Sequence, residues 1–170
     1  MKNDSKQIQL TKILLIAYLA ILTWVILFKM AMSVEELPRL RNINLIPFGD
    51  PAIVNGAIDY SEIILNIVAF IPVGVYISII SGERSFVRKL LPILCLSLGY
   101  EVLQFVFRLG ASDITDLIGN TAGGAAGILL VMLFMKLFKQ NSLLIRVINF
   151  LAAICTGLLT TLIVILIAVN

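Results

Sequence analysis

Polar and apolar positions along this chain fall into long blocks. Five apolar stretches, roughly residues 10–32, 61–81, 89–108, 116–138 and 145–169, are long enough to cross a bilayer as helices, which takes about 20 residues each. The expected fold is an all-α membrane protein, a bundle of five transmembrane helices in one domain over residues 1–170. The first stretch follows Lys2, Lys6 and Lys12, and Ala31-Met32-Ser33 vaguely resembles a cleavage site. Its apolar run is too long for a signal peptide's central region, so it reads as an uncleaved span. The longest connection, residues 33–60, holds Asn42-Ile-Asn44-Leu-Ile-Pro47-Phe48-Gly49-Asp50-Pro51. Its apolar residues and two prolines suit a segment at the membrane interface, or a re-entrant one, which has to be covered by protein or line water. Only a few residues around Gly110 join the third and fourth spans, which makes them antiparallel neighbours.

Charge sets the direction. With the N-terminus inside, nine of the 13 cations are cytoplasmic: Lys2, Lys6, Lys12, Arg84, Arg88, Lys89, Lys136, Lys139 and Arg146. Lys29, Arg39, Arg41 and Arg108 fall outside. Of the acids only Asp4 and Glu83 are inside, and Glu35, Glu36, Asp50, Asp59, Glu62, Glu101, Asp113 and Asp116 lie in the outer half or beyond it. Basic residues favour the cytoplasmic side, so the expectation is N-in, C-out in a multi-pass protein of the bacterial cell membrane.

Composition narrows the chemistry. The 170 residues are 60% apolar and 14% charged, with a mean hydropathy of +1.06, too little polar surface for a soluble domain and too apolar for disorder. There is no histidine, which removes Ser-His-Asp and Cys-His catalysis, His-bound zinc and a His-ligated haem. Cys95 and Cys155 sit inside apolar runs as small hydrophobes and cannot make a disulfide framework. The net charge of +3 is spread along the chain, so nucleic acid is not an expected partner.

Against this background the intramembrane polar residues stand out, because each is costly unless paired or wet. In the third span Ser97, Glu101, Gln104 and Arg108 are spaced four, three and four apart and share a helix face. The fourth begins with Ser112-Asp113-Ile-Thr115-Asp116, where Ser112 or Asp113 suits an N-cap and Asp116 the positive first turn. Asn120 lies one turn below Asp116, and Gly119, Gly123 and Gly127 make a small-residue stripe, with Gly124 beside it, for close helix packing. The second span adds Glu62, Asn66 and Pro72. On the N-in topology Asn66, Glu101, Gln104, Arg108, Asp113, Asp116 and Asn120 share one depth, the outer third, and point to a polar cavity open to the outside. The first and fifth spans carry no comparable cluster; in the fifth, Thr156, Thr160 and Thr161 can bond back to their own helix.

Four blocks in order, Asn44-Leu-Ile-Pro47-Phe48, Asn66-Ile-Val-Ala-Phe70-Ile-Pro72-Val-Gly74, Glu101-x-x-Gln104-x-x-x-Arg108 and Asp113-x-x-Asp116-x-x-x-Asn120-x-x-Gly123, resemble the VanZ-like family over roughly residues 10–138. Residues 139–170 form an additional C-terminal helix beyond the resemblance. The family is named for a membrane protein associated with resistance to teicoplanin, a glycopeptide. The resemblance implies bacterial envelope biology without giving a reaction.

Three functions stay open. A binding module would hold a membrane lipid, a lipid-linked cell-wall precursor or a glycopeptide antibiotic through Asn44, Asn66, Gln104, Arg108, Asp113 and Asn120, with the Arg108 guanidinium on a phosphate or carboxylate. An enzyme, a hydrolase or transferase on a phosphate-containing lipid, would use Glu101 and Asp116 as its catalytic carboxylates, since without histidine the base has to be a carboxylate. A transporter or structural subunit ranks third, because no internal repeat is evident. No cofactor is expected, although Glu101, Asp113 and Asp116 offer oxygens that suit a hard cation such as Mg²⁺. The sequence does not specify an oligomeric state.

Overall fold

A computed structural model describes residues 2–28, 40–49, 52–54, 57–137 and 141–169. In chain order these form α1 (Lys2–Phe28), β1 (Leu40–Asn44), β2 (Ala52–Val54), β3 (Ala57–Asp59), α2 (Ser61–Ser81), α3 (Phe86–Phe107), β4 (Leu109–Asp113), α4 (Ile114–Leu137) and α5 (Asn141–Val169). Among the described residues, four helical stretches are long and apolar enough to cross a membrane: Ser5–Leu27, Ser61–Ser81, Phe86–Phe107 and Ile114–Leu137. In α5 the apolar stretch Ser142–Leu158 is shorter. The protein is thus a mostly helical membrane protein. Its first helix starts well before the apolar run, because the polar residues from Lys2 to Gln9 include no helix breaker.

The all-α expectation needs one correction. β1 pairs in parallel with β4, Leu40 opposite Leu109 through to Asn44 opposite Asp113, and β2 pairs antiparallel with β3, Ala52 opposite Asp59. The short link between α3 and α4 is therefore a strand, joined to the chain before α2. Residues 29–39, 50–51, 55–56 and 138–140 lie outside the described residues. That takes in the Ala31-Met32-Ser33 segment, Lys29, Glu35, Glu36, Arg39, Asp50 and Lys139, and with them much of the interfacial or re-entrant segment. The described part after β1 is a turn: Asn44 Oδ1 accepts the Ile46 N–H at 3.1 Å and Gly49 N–H donates to the Ile46 carbonyl at 3.0 Å. Leu45, Ile46 and Phe48 around it are exposed.

α2 and α4 run parallel and pack most closely of all the helices. Glycine makes this contact possible. A Cβ at Gly74 would run into the Gly124 carbonyl, at Gly123 into the Ile67 carbonyl, and at Gly127 into the Ile71 carbonyl. Here backbone meets backbone, which only the missing side chain allows. Gly124 admits the side chain of Ile93 from α3 in the same way. Phe70, Val73, Ile93, Tyr100 and Ile128 form the buried core between these helices, while large apolar side chains on the outer faces are exposed, as suits helices surrounded by lipid.

α1 closes the side of this trio. The Tyr18 hydroxyl donates to the Ala69 carbonyl at 2.8 Å, and the Thr23 and Tyr100 hydroxyls meet at 2.9 Å. α5 is held to α1 by a polar contact that the apolar pattern hid. Asn149 Nδ2 donates to Gln7 O at 3.0 Å and Gln7 Oε1 at 3.1 Å, and the Thr11 hydroxyl donates to Asn149 Oδ1 at 2.9 Å. Both Thr11 and Asn149 are buried, so the expectation that the first and fifth helices lack a polar cluster is corrected. Thr160 and Thr161 bond back to the Thr156 and Gly157 carbonyls. Both cysteines are free and exposed on their helices.

Candidate functional site

The strand-bearing end of the bundle gathers polar groups from β1, α2, α3 and the start of α4. Asp113, last residue of β4, is the centre. Its Oδ1 accepts the Thr115 N–H at 2.7 Å, an N-cap bond that satisfies one open donor of α4. Its Oδ2 accepts from Asn44 Nδ2 at 3.1 Å, fastening β1 at the pair where the strand register ends. Its own N–H donates to Glu101 Oε2 at 2.8 Å. A glutamate reaching the N-cap N–H is the second half of a capping box, supplied here by a neighbouring helix instead of by α4 itself. Ser112 Oγ donates to the Glu101 carbonyl, so two bonds tie the end of α3 to the start of α4.

One step along, Asn66 Nδ2 of α2 donates to Asp116 Oδ1 at 2.7 Å, in the first turn of α4 where the helix dipole favours an anion. A turn deeper, Asn120 Nδ2 donates to Ser97 Oγ at 3.0 Å. Glu101 is only 7% exposed. Phe48, in a left-handed backbone conformation (φ 58°), donates its N–H to Thr115 Oγ1 at 3.0 Å and so brings the turn after β1 onto the same end.

The structure thus brings together Asn44, Asn66, Glu101, Asp113 and Asp116, with Asn120 below them. Two residues from the expected face behave differently. Gln104 is buried but turns towards α1, where its Nε2 donates to the Ile26 carbonyl at 3.3 Å. Arg108 follows the last residue of α3, is exposed, and adopts the left-handed conformation (φ 59°, ψ 39°) that ends the helix. The helical spacing that put Arg108 on the Glu101 face does not continue through that turn. Gln104 Oε1 and Asn120 Oδ1 are buried acceptors without a hydrogen-bond partner among the described residues. Among the same residues no group of three or more His, Cys, Asp or Glu side chains is arranged to hold a metal ion. Sequence reasoning gave no role to Thr115 or to the Asn149–Thr11–Gln7 contact; an asparagine inside an apolar run was the available signal for the latter.

Residues 15–135, which include every residue of this cluster, match the VanZ/LLP1 family. The chain is also 37% identical over 136 residues to Protein VanZ of Enterococcus faecium, an alignment covering 79% of this chain and 81% of that protein. The chain belongs to the VanZ/LLP1 family. No solved structure matches it. The matched residues take in α1 from Leu15 onward, β1, α2, α3, β4 and α4 as far as Met135, and leave α5 beyond them.

Proposed function

We propose that this VanZ-like chain is a multi-pass protein of the bacterial cytoplasmic membrane, oriented N-in and C-out. Its strand-bearing end is the outer end, and its role is linked to glycopeptide (teicoplanin) resistance. There it binds an envelope lipid, a lipid-linked wall precursor or the antibiotic itself. The observation that carries this reading is the convergence of Asn44, Asn66, Glu101, Asp113 and Asp116 from five segments onto one end of an otherwise apolar bundle. Intramembrane carboxylates are rare because they are expensive, and function is the usual reason for keeping them. Arg108, exposed at the same end, supplies a guanidinium for a phosphate or carboxylate. Asn120 Oδ1, a turn below the cluster, suits a hydroxyl or amide donor of a sugar or peptide, whereas Gln104 faces α1. Exposed Leu45, Ile46 and Phe48 suit the membrane interface beside the site.

The orientation is tested by single cysteines at Phe86 and Ala111, after replacement of Cys95 and Cys155. Impermeant thiol reagents on intact cells should label position 111 and spare 86; the reverse pattern would overturn it. For the site, purified protein is incubated with labelled lipid-linked precursors, phospholipids and teicoplanin, with and without Mg²⁺. Saturable binding without product is the expected result, and turnover would select the hydrolase or transferase reading instead. Glu101→Gln separates function from folding. Glutamine keeps a carbonyl acceptor for the Asp113 N–H and loses only the charge. We expect normal membrane accumulation on a blot with resistance lost. Wild-type resistance in Glu101→Gln would reduce Glu101 to a capping residue.

A further inference from the structure

At the strand-bearing end, hydrogen-bond acceptors outnumber the donors offered to them. Glu101 is buried, and its Oε2 accepts the Asp113 N–H at 2.8 Å. Its Oε1 has no hydrogen-bond partner among the described residues. Asn120 is 1% exposed and spends its Nδ2 on Ser97 Oγ at 3.0 Å. That leaves Asn120 Oδ1 as a buried acceptor with no partner among the same residues. The two open acceptors lie between the same helices. Ser97 is four residues before Glu101 on α3, and Asn120 is four residues after Asp116 on α4. The Ser97–Asn120 bond is therefore a rung one turn below Glu101, about 6 Å along the axis.

Buried acceptors without donors are costly, and a carboxylate most of all. The described cations do not fill these two. Arg108 is exposed beyond the last residue of α3. Lys89 is buried at the other end of α3, with its ammonium on Ser78 Oγ at 3.2 Å. Asp113 is already occupied, by the Thr115 N–H and by Asn44 Nδ2. No group of three or more His, Cys, Asp or Glu side chains among the described residues is arranged for a metal ion. The chemistry that fits is a positive charge bearing several N–H donors. A primary ammonium has three donors and no acceptor, one for the Glu101 carboxylate and one for the Asn120 carbonyl a turn below it.

We infer that the ligand of this site carries a primary ammonium group, held between Glu101 Oε1 and Asn120 Oδ1. The inference rests on the binding site proposed above and narrows its ligand to amine-bearing molecules. An aminophospholipid headgroup, a lysine on a lipid-linked precursor and an amine on the antibiotic share this chemistry. Arg108, outside the buried pair, is left for a phosphate or carboxylate of the same ligand.

The test measures binding of phosphatidylethanolamine, of a lipid-linked precursor with lysine in its peptide, and of teicoplanin to full-length protein in detergent. Each is compared with its N-acetylated form, which has lost the charge and two of the three N–H donors. The ligand that belongs to the site should weaken by about tenfold or more on acetylation, as expected for hydrogen bonds to a charged group. Which of the three does so identifies the source of the amine. Glu101→Gln should bring the amine form down to the affinity of the acetylated one and leave the acetylated form unchanged. The comparison of amine and acetylated forms in the wild type does not depend on a variant that folds. Saturable binding that is equal for amine and acetylated forms would overturn the ammonium and leave the site standing. So would a Glu101→Gln protein that binds both forms more weakly by the same factor, since that is the mark of a structural role. No saturable binding by any of the three ligands would overturn the site and this inference together.

Discussion

α4 and α5 are neighbours in sequence and similarly apolar, yet they join the bundle in opposite ways. α4 meets α2 backbone to backbone through Gly74, Gly123 and Gly127, where an added Cβ would overlap a carbonyl. α5 has one glycine in its apolar run, Gly157, and a Cβ there would meet nothing within 4 Å. Without hydrophobic gain on helix association in lipid, close packing and hydrogen bonds decide which helices touch. α4 has both: the glycine stripe along its length, and Asp113, Asp116 and Asn120 near its beginning. α5 is held to α1 by Asn149, and a groove lies where closer contacts with α4 would be. The tight pair can hold a polar site in fixed geometry; the loose helix leaves the groove open.

The strongest way to break the contrast is to give α4 a side chain where it has none. Gly123→Leu forces α2 and α4 apart, since the atoms in the way belong to the Ile67 backbone and cannot rotate aside. The cost should reach or exceed the upper end of the about 1–3 kcal/mol typical of overpacking, with a sharp loss of protein in membrane blots. Gly157→Leu is the control. It should stay within about 0.5 kcal/mol of wild type, as exposed substitutions do. Equal loss in the two variants would mean that the close approach of α2 and α4 is not what holds the bundle.

Next in size is Asn149→Ala, which removes the bonds to Gln7 and Thr11. Interhelical hydrogen bonds in membranes average about 0.6 kcal/mol each, so a loss of about 1–2 kcal/mol is expected, confined to α5. Limited proteolysis between α4 and α5 should speed up while resistance, which we propose depends on the strand-bearing end, persists. Thr160→Ala, which loses only a bond to its own helix, should change neither.

These differences were unequally visible in the sequence. Helix-length apolar runs and the four-residue glycine spacing announced α2, α3, α4 and the α2–α4 contact, because both are local patterns. The strands were not legible. β1 is Leu-Arg-Asn-Ile-Asn and β4 contains Gly110, so neither alternates, and their parallel register depends on a partner 69 residues away, through Asn44 and Asp113. Most of the site could be read because Glu101, Asp116 and Asn120 lie inside helices where spacing fixes direction. Arg108 misled because it sits one residue past the end of α3. Asn149 was overlooked because a single amide in a long apolar run alters no average, although buried it decides where α5 lies.

Arg108 also offers the smallest and most discriminating test of the tight end. Its backbone is left-handed, at φ 59° and ψ 39°, a conformation costing a residue with a side chain roughly 1–2 kcal/mol and glycine almost nothing. Glycine is the usual residue at such a helix end, and α2 ends on one, Gly82, which also has positive φ (58°) though a different ψ (−125°). Retaining arginine at the equivalent point of α3 is thus a local sacrifice of stability, which is common where the side chain has work to do. Arg108→Gly should raise thermal stability in detergent by an amount corresponding to about 1 kcal/mol, because the side chain is exposed and its removal leaves no cavity. Ligand binding and resistance should fall at the same time. Arg108→Ala, which keeps the strained backbone but loses the guanidinium, should lose binding without gaining stability. If Arg108→Gly gained stability and kept full resistance, Arg108 would be only the stop signal of α3, and the anion-holding role would pass out of the site altogether.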